Sequence, residues 1–318
     1  MDYDIIGDIH GQADKLEALL RTLGYRDTAG AWRHPERQAI FVGDFVDRGP
    51  AQLRSIDIAR RMVDAGVALA VMGNHEFNAI AWHTPDSKGD FLRSHFSAEW
   101  GEKNRKQHAA FLAEVEDKPA LHAEIIDWFL TLPLWLELPD LLVVHACWHA
   151  PFMAWLAPQL HEGRYLTRDL MVPATDEPEN EAEKDDGIPS VYKAVECLTK
   201  GIEVPLPAGH YFLDKDGIRR DRVRVRWWDE EAKTYRSAAM LSPTQCAALP
   251  DLPIPAHARI APPDKPVFFG HYWLTGTPVL QTTRHVCVDY SAGSGGPLVA
   301  YRFDGELDLS PQHLVWVD

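Results

Sequence analysis

QAIFVGDFVDRG, residues 38–49, reads as a buried strand that stops abruptly in glycine and acid. Gln38 to Val42 is short and apolar, whereas Asp44, Asp47 and Arg48 are polar groups that a packed core would be penalised for holding. The same pattern recurs on both sides. Tyr3 to Ile6 leads into Gly7-Asp8-Ile9-His10-Gly11, and Val67 to Met72 leads into Gly73-Asn74-His75-Glu76. Two helical patterns lie between these strands. One is Gln12 to Leu23, with Ala13, Leu16, Leu19, Leu20 and Leu23 at helical spacing; the other opens with Pro50 at its first position and closes at Gly66. This β-α-β-α-β order predicts a layered α/β domain with buried parallel strands.

Further strands are expected at Leu141 to Val144, Val267 to Phe269, His285 to Val288 and Leu298 to Phe303, the last two joined by the glycine-rich turn Ser291 to Pro297. Two long segments interrupt them within what reads as one domain over residues 1–318. The first, about 85–138, carries helix-like stretches rich in Trp, Phe and His. The second, about 151–266, holds an acidic run, a basic strand-like stretch from Arg219 to Trp228 and a proline-rich return, and is expected to form a cap or substrate wall.

A chain of 318 residues with 46% hydrophobic content can bury a full core, and its net charge of -15 disfavours a general nucleic-acid or anionic-membrane partner. Much of that charge is local, because Asp176 to Gly187 holds seven carboxylates and one lysine and reads as a solvated loop. Cys147, Cys197, Cys246 and Cys287 have no metal-ligand or redox spacing and read as reduced thiols. With no leader-like N-terminus and no apolar stretch long enough to span a bilayer, a cytoplasmic location is expected.

The chemistry gathers at the strand ends. Asp8 and His10, Asp44, Asn74 and His75, His145, and His271 all follow apolar strands, and in an open α/β sheet the carboxyl edge is where ligands bind. Carboxylate, imidazole and amide oxygen without thiolate suit borderline-to-hard divalent cations. A carboxylate can bridge two such ions, and Asp44 is the candidate.

GDIHG, GDFVDRG, GNHE, the strand-end His145 and the final Gly270-His271, in that order, resemble the calcineurin-like metallophosphoesterase superfamily, most of all its phosphoprotein phosphatase branch and bacterial relatives. The resemblance implies an α-β-β-α sandwich with inserted cap segments. It implies two divalent metal ions, manganese foremost with iron, zinc, nickel or magnesium as alternatives. Asp8, His10 and Asp44 would hold the first, and Asp44, Asn74, His145 and His271 the second. It makes His75 the general acid, Asp47 its orienting partner and Arg48 the phosphate clamp. Where many members carry a second histidine after GH, this chain has Trp273, as the phosphoprotein phosphatase branch also lacks that histidine.

The activity implied is hydrolysis of phosphomonoesters by a metal-bridged hydroxide, on a phosphoprotein or a small phosphate ester. The alternative is a dinucleoside polyphosphate or other nucleotide, and from another class, a non-catalytic binding protein on the same fold. Arg226 is chosen as a second phosphate contact, with Arg164 competing, and Trp227 and Trp228 as a substrate wall. Glu76 either supports a ligand from behind or merely opens a helix. Cys147 reads as a small buried hydrophobe, with redox sensitivity as the alternative.

Overall fold

Alternation along the strands builds the molecule. In the computed structural model, which describes residues 2–214 and 217–318, successive strand residues divide between two apolar clusters. Ile5, Ile40 and Val299 face one way and pack against Val143, Phe268 and Val286 of a second sheet. Their neighbours Ile6, Phe41, Ala300, Val144 and Phe269 face outward and join the larger cluster that includes the helices. Period-two patterning with both faces apolar therefore yields an α-β-β-α sandwich.

The first sheet runs Leu314–Val317, Leu298–Phe303, Asp2–Ile6, Arg37–Phe41, Ala68–Ala70. The last three are parallel, with Ile5 opposite Ile40 and Ile40 opposite Leu69. The second runs His285–Cys287, Val267–Phe269, Leu142–Val144, Trp135–Glu137, the first three parallel. Helices Ala13–Leu23 and Gln52–Asp64 supply the crossovers after the first two strands.

Two details differ from the sequence reading and one adds to it. Pro50 lies two residues before its helix, because Gly49 and Ala51 first donate backbone hydrogen bonds to His10 and Gly11. The two strands joined by the turn from Ser291 to Pro297, left unassigned to sheets by the sequence, lie in different sheets. The acidic run contains a short helix, Glu181–Asp185, which Arg222 latches through Asp185 (2.8 and 3.0 Å) and Glu181 (2.9 Å).

Segment 85–138 supplies helices Gly101–Val115 and Pro119–Phe129; segment 151–266 supplies Val191–Lys200, which packs on Arg168–Thr175, and the strand pair Glu203–Pro205 and Arg222–Arg224. Among the described residues no helix is long and apolar enough to cross a membrane. Phe268 is fully buried between the sheets, so Phe268→Ala is expected to lower unfolding free energy by about 3–5 kcal/mol in urea titration. A loss under ~1 kcal/mol would mean that the two sheets do not depend on this contact.

Candidate active site

The parallel strands of both sheets end at one place, and the side chains that follow them meet there. Asp8, His10, Asp44, His145 and His271 are buried and Asn74 nearly so. Asp44 Oδ2 is the centre of the group. Its neighbours are the Nε2 atoms of His145 (3.5 Å), His10 (3.6 Å) and His75 (3.9 Å). His10, Asp44 and His75 form one cluster able to hold a cation and Asp44, His145 and His271 another, so Asp44 belongs to both.

The donor set can be tested for whether it fits cations. His10 Nδ1 lies 2.9 Å from the Val46 carbonyl and His145 Nδ1 2.7 Å from that of Val42. A carbonyl only accepts, so each proton sits on Nδ1 and each Nε2 turns a lone pair inward. The Nε2 of His145 then faces another acceptor, Asn74 Oδ1, at 3.0 Å. Asp8 Oδ1, His10 Nε2, Asp44 Oδ2 and His271 Nε2 are buried with no hydrogen-bond partner. Buried polar atoms are ordinarily satisfied, and this many orphaned atoms in one place is the arrangement that divalent cations would neutralise. Electrostatics agrees for Asp8 and His10, whereas at His145 burial is outweighed by the Asp44 carboxylate, which raises its pKa and which a bound cation would neutralise. Burial, followed by Asp289 and Asp44, pushes the Asp8 carboxyl well up, and burial lowers the His10 pKa to about 4, keeping it neutral as a ligand must be.

This convergence requires strained backbone. Nine described non-glycine residues have positive φ, and six of them are His10, Asp44, Asp47, Arg48, His271 and Trp273. Each costs on the order of 1–3 kcal/mol and persists only where surroundings enforce it. Glu76 is the main enforcer. Fully buried, it accepts from Asp44 N–H (2.8 Å) and Gly73 N–H (3.0 Å) through Oε2 and from Phe45 N–H (2.8 Å) through Oε1, tying two strand-end loops together. It is more than a helix-opening residue. Gly43, at φ 100°, has no room for a side chain, since a Cβ there would lie 2.5 Å from Gly73 N.

His75 and Asp47 are brought together: Nδ1 of His75 lies 2.5 Å from Asp47 Oδ2. The other oxygen, Oδ1, takes His108 Nδ1 at 2.7 Å, from helix Gly101–Val115. Burial opposes charge on Asp47, but His108 and then His75 hold its pKa far below the usual range. Burial also opposes charge on His75, but Asp44 and Asp47 outweigh it and raise its pKa. Arg48 makes no ion pair with Asp47; its guanidinium lies 4.0 Å from the centroid of the Trp273 ring, which itself sits 5.1 Å from that of His10.

A crevice of about 350 Å³ opens beside these groups, lined by Arg48, His75, Arg93, Lys200 and Arg224 among others. Arg226 is not brought to it. Its guanidinium is drawn away by the Ser237 carbonyl and lines other clefts, while Arg224, two residues earlier, takes the place at the wall. Arg164 lies near Tyr165 and outside the crevice. Trp227 and Trp228 are not an exposed wall either: both are buried against Phe269, and Trp227 Nε1 donates to the Ala146 carbonyl. Cys147 is fully buried, and burial followed by Cys197 pushes its thiol pKa up, as suits an inert packing residue. Sequence reasoning missed His108, Arg93 and Lys200, whose segments carry no motif.

Strand-end donors sharing one carboxylate, a His–Asp pair and a cation-lined crevice define a hydrolase of phosphate esters. Residues 1–171, more than half of the chain, match the calcineurin-like phosphoesterase family model, and the chain belongs to that family. Over 76 residues it is 43% identical to the asymmetrical bis(5'-nucleosyl)-tetraphosphatase PrpE of Oceanobacillus iheyensis, covering 24% of this chain and 30% of that protein. The corresponding protein of Geobacillus thermodenitrificans is 49% identical over 76 residues, 24% and 31% of the two chains. The matched stretch thus spans under a third of these relatives. A solved serine/threonine phosphatase from Saccharomyces cerevisiae overlays with TM-score 0.49 at 15% identity, covering 100% of this chain and 79% of that one. An overlay at that level says nothing of what this chain cleaves.

Two outcomes are expected here. Mn²⁺ added to chelator-stripped protein should raise Tm by about 5 °C in scanning calorimetry, a gain that Asp44→Asn largely abolishes. Glu76→Gln, which places an amide N–H against a backbone N–H, should cost about 2–3 kcal/mol in denaturant titration.

Proposed function

We propose that this protein hydrolyses a phosphate chain carried on a nucleoside, with dinucleoside polyphosphates as the substrate class. The observation that carries the reading is the charge of the crevice. Arg48, Arg93, Lys200 and Arg224 line it, while Asp47, its one lining carboxylate among the described residues, is occupied by His75 and His108. Arg93 is held by the neutral amide oxygens of Asn78 and Gln107 rather than by a carboxylate, and stays available to an anion. Lys200 and Arg224 also meet Glu196 and Glu203 from outside the crevice, but a single phosphate monoester needs fewer cations than the four that face it, and a chain of phosphates can engage them all. The names of the partial relatives point the same way. A phosphoprotein or simple phosphomonoester, placed first on sequence alone, becomes the second reading.

Asp8, His10, Asp44, Asn74, His145 and His271 would hold two divalent cations, manganese by preference, which when bound polarise phosphoryl oxygens and acidify water. Asp47 keeps the Nδ1 proton of His75 in place, so Nε2 is the atom that delivers a proton to the departing oxygen. Arg48, flat against Trp273, presents its fork to the phosphoryl oxygens, and Arg224 meets the same group from the opposite segment.

Steady-state kinetics on diadenosine tetraphosphate, an aryl phosphate and phosphopeptides test this. His75→Asn should lower kcat on the order of 10²–10⁴-fold. Arg224→Ala should raise KM for the tetraphosphate roughly tenfold, whereas Arg226→Ala should stay within about twofold. Faster phosphate release from phosphopeptides than from diadenosine tetraphosphate by the native protein would hand the site to protein substrates instead.

A further inference from the structure

Lys200 and Arg224 belong to two cavities at once. Besides the crevice they line a second cleft of about 380 Å³, within the size range of small-ligand pockets, so the two spaces meet at these side chains. The cleft follows one face of helix Val191–Lys200. Tyr192, Glu196 and Lys200 recur there every four residues, which at 1.5 Å per residue sets Tyr192 about 12 Å along the axis from Lys200.

The two ends differ in chemistry. Tyr192 stands at the far end, and the lining also includes the stacked pair His149 and Phe152 (centroids 4.1 Å apart) and His257, all flat ring surfaces. Between the ends, charges are mutually satisfied: Lys184 meets Glu177 at 2.7 Å, and Arg222 is spent on latching the Glu181–Asp185 helix. At the shared end Lys200 pairs with Glu196 one helical turn back, and the unmet group belongs to Arg224. Arg224 reaches Glu203 through one Nη2 at 3.2 Å, and its Nε is buried without a hydrogen-bond partner. A buried guanidinium N–H left unsatisfied is costly, and an anionic oxygen is the natural acceptor for it.

We propose that this cleft seats the nucleoside of the substrate: the base lies among the rings around Tyr192, and Lys200 with Arg224 hold the phosphate that leads from it into the crevice. The lining carboxylates Glu177 and Glu196 are paired with Lys184 and Lys200 but keep further acceptor sites, which ribose hydroxyls can use. The assignment rests on the nucleoside-polyphosphate reading above and adds where the nucleoside goes.

The test compares native protein with Tyr192→Ala, Tyr192→Phe and His257→Ala, each checked for an unchanged thermal transition. Kinetics are measured on diadenosine tetraphosphate and an aryl phosphate, and ADP binding by equilibrium dialysis. Tyr192→Ala should raise KM for the tetraphosphate and weaken ADP about tenfold, with kcat and all aryl phosphate parameters unchanged. Tyr192→Phe keeps the ring and should behave as native; His257→Ala should follow Tyr192→Ala more weakly. Native KM and native ADP affinity in both alanine variants would overturn the assignment. So would a phosphopeptide KM that responds to Tyr192→Ala in a protein that does not bind ADP. No turnover of the tetraphosphate together with Tyr192-dependent ADP binding would defeat the substrate reading alone and leave the nucleoside cleft standing.

Discussion

Three backbone N–H groups converge on the carboxylate of Glu76, and the geometry of the strand ends depends on that convergence. Asp44 stands at φ 52°, in a region that a residue with a side chain enters only under constraint. A carboxylate has enough acceptor sites to take all three donors at once, and it sits where no water competes. Because Glu76 belongs to the helix Asn74–His83, the helix that carries Asn74 and His75 is joined directly to the loop that carries Asp44. His75 N–H returns the connection by donating to Asp44 Oδ1 at 2.9 Å.

The second sheet is joined to the first by equally short links. His145 reaches the Val42 carbonyl, and His271 N–H donates to Asp8 Oδ2 at 2.9 Å. Asp8, His10, Asp44 and His145 are thus each positioned by a backbone group of a different strand end, while His271 Nδ1 meets Asn74 Oδ1 at 2.8 Å. Misplacing one strand end would disturb donors on several others. Such cross-bracing explains how the backbone holds strained conformations at the centre while the helices and outer strands remain regular.

The fold's core and the strand-end residues were legible because both are written locally. Apolar runs closed by glycine and acid mark buried strands that stop at a site, and the segments fall in chain order. What escaped was determined by distance. His108 stands on a helix whose sequence is ordinary amphipathic material, and nothing nearby reveals that its ring meets Asp47 from 61 residues away. Arg226 is kept from the crevice because the Ser237 carbonyl captures its guanidinium, a contact between segments that no pattern encodes. Trp227 and Trp228 were misread for a related reason. Tryptophan beside a charged stretch can line a ligand or fill a core, and here Phe269 and Tyr272 were waiting to pack against them.

The pairing of His108 with Asp47 makes the helix Gly101–Val115 a participant in proton affinity. One oxygen of Asp47 serves His75 and the other serves His108, so the two imidazoles share a single negative charge. Whatever shifts that helix redistributes the charge between them and retunes the basicity of His75 without touching it. Relatives that keep GDFVDRG and GNHE but replace the helix would inherit the same histidine with a different acid strength, so this surface segment gives evolution a means of adjusting the working pH while every strand-end residue stays fixed.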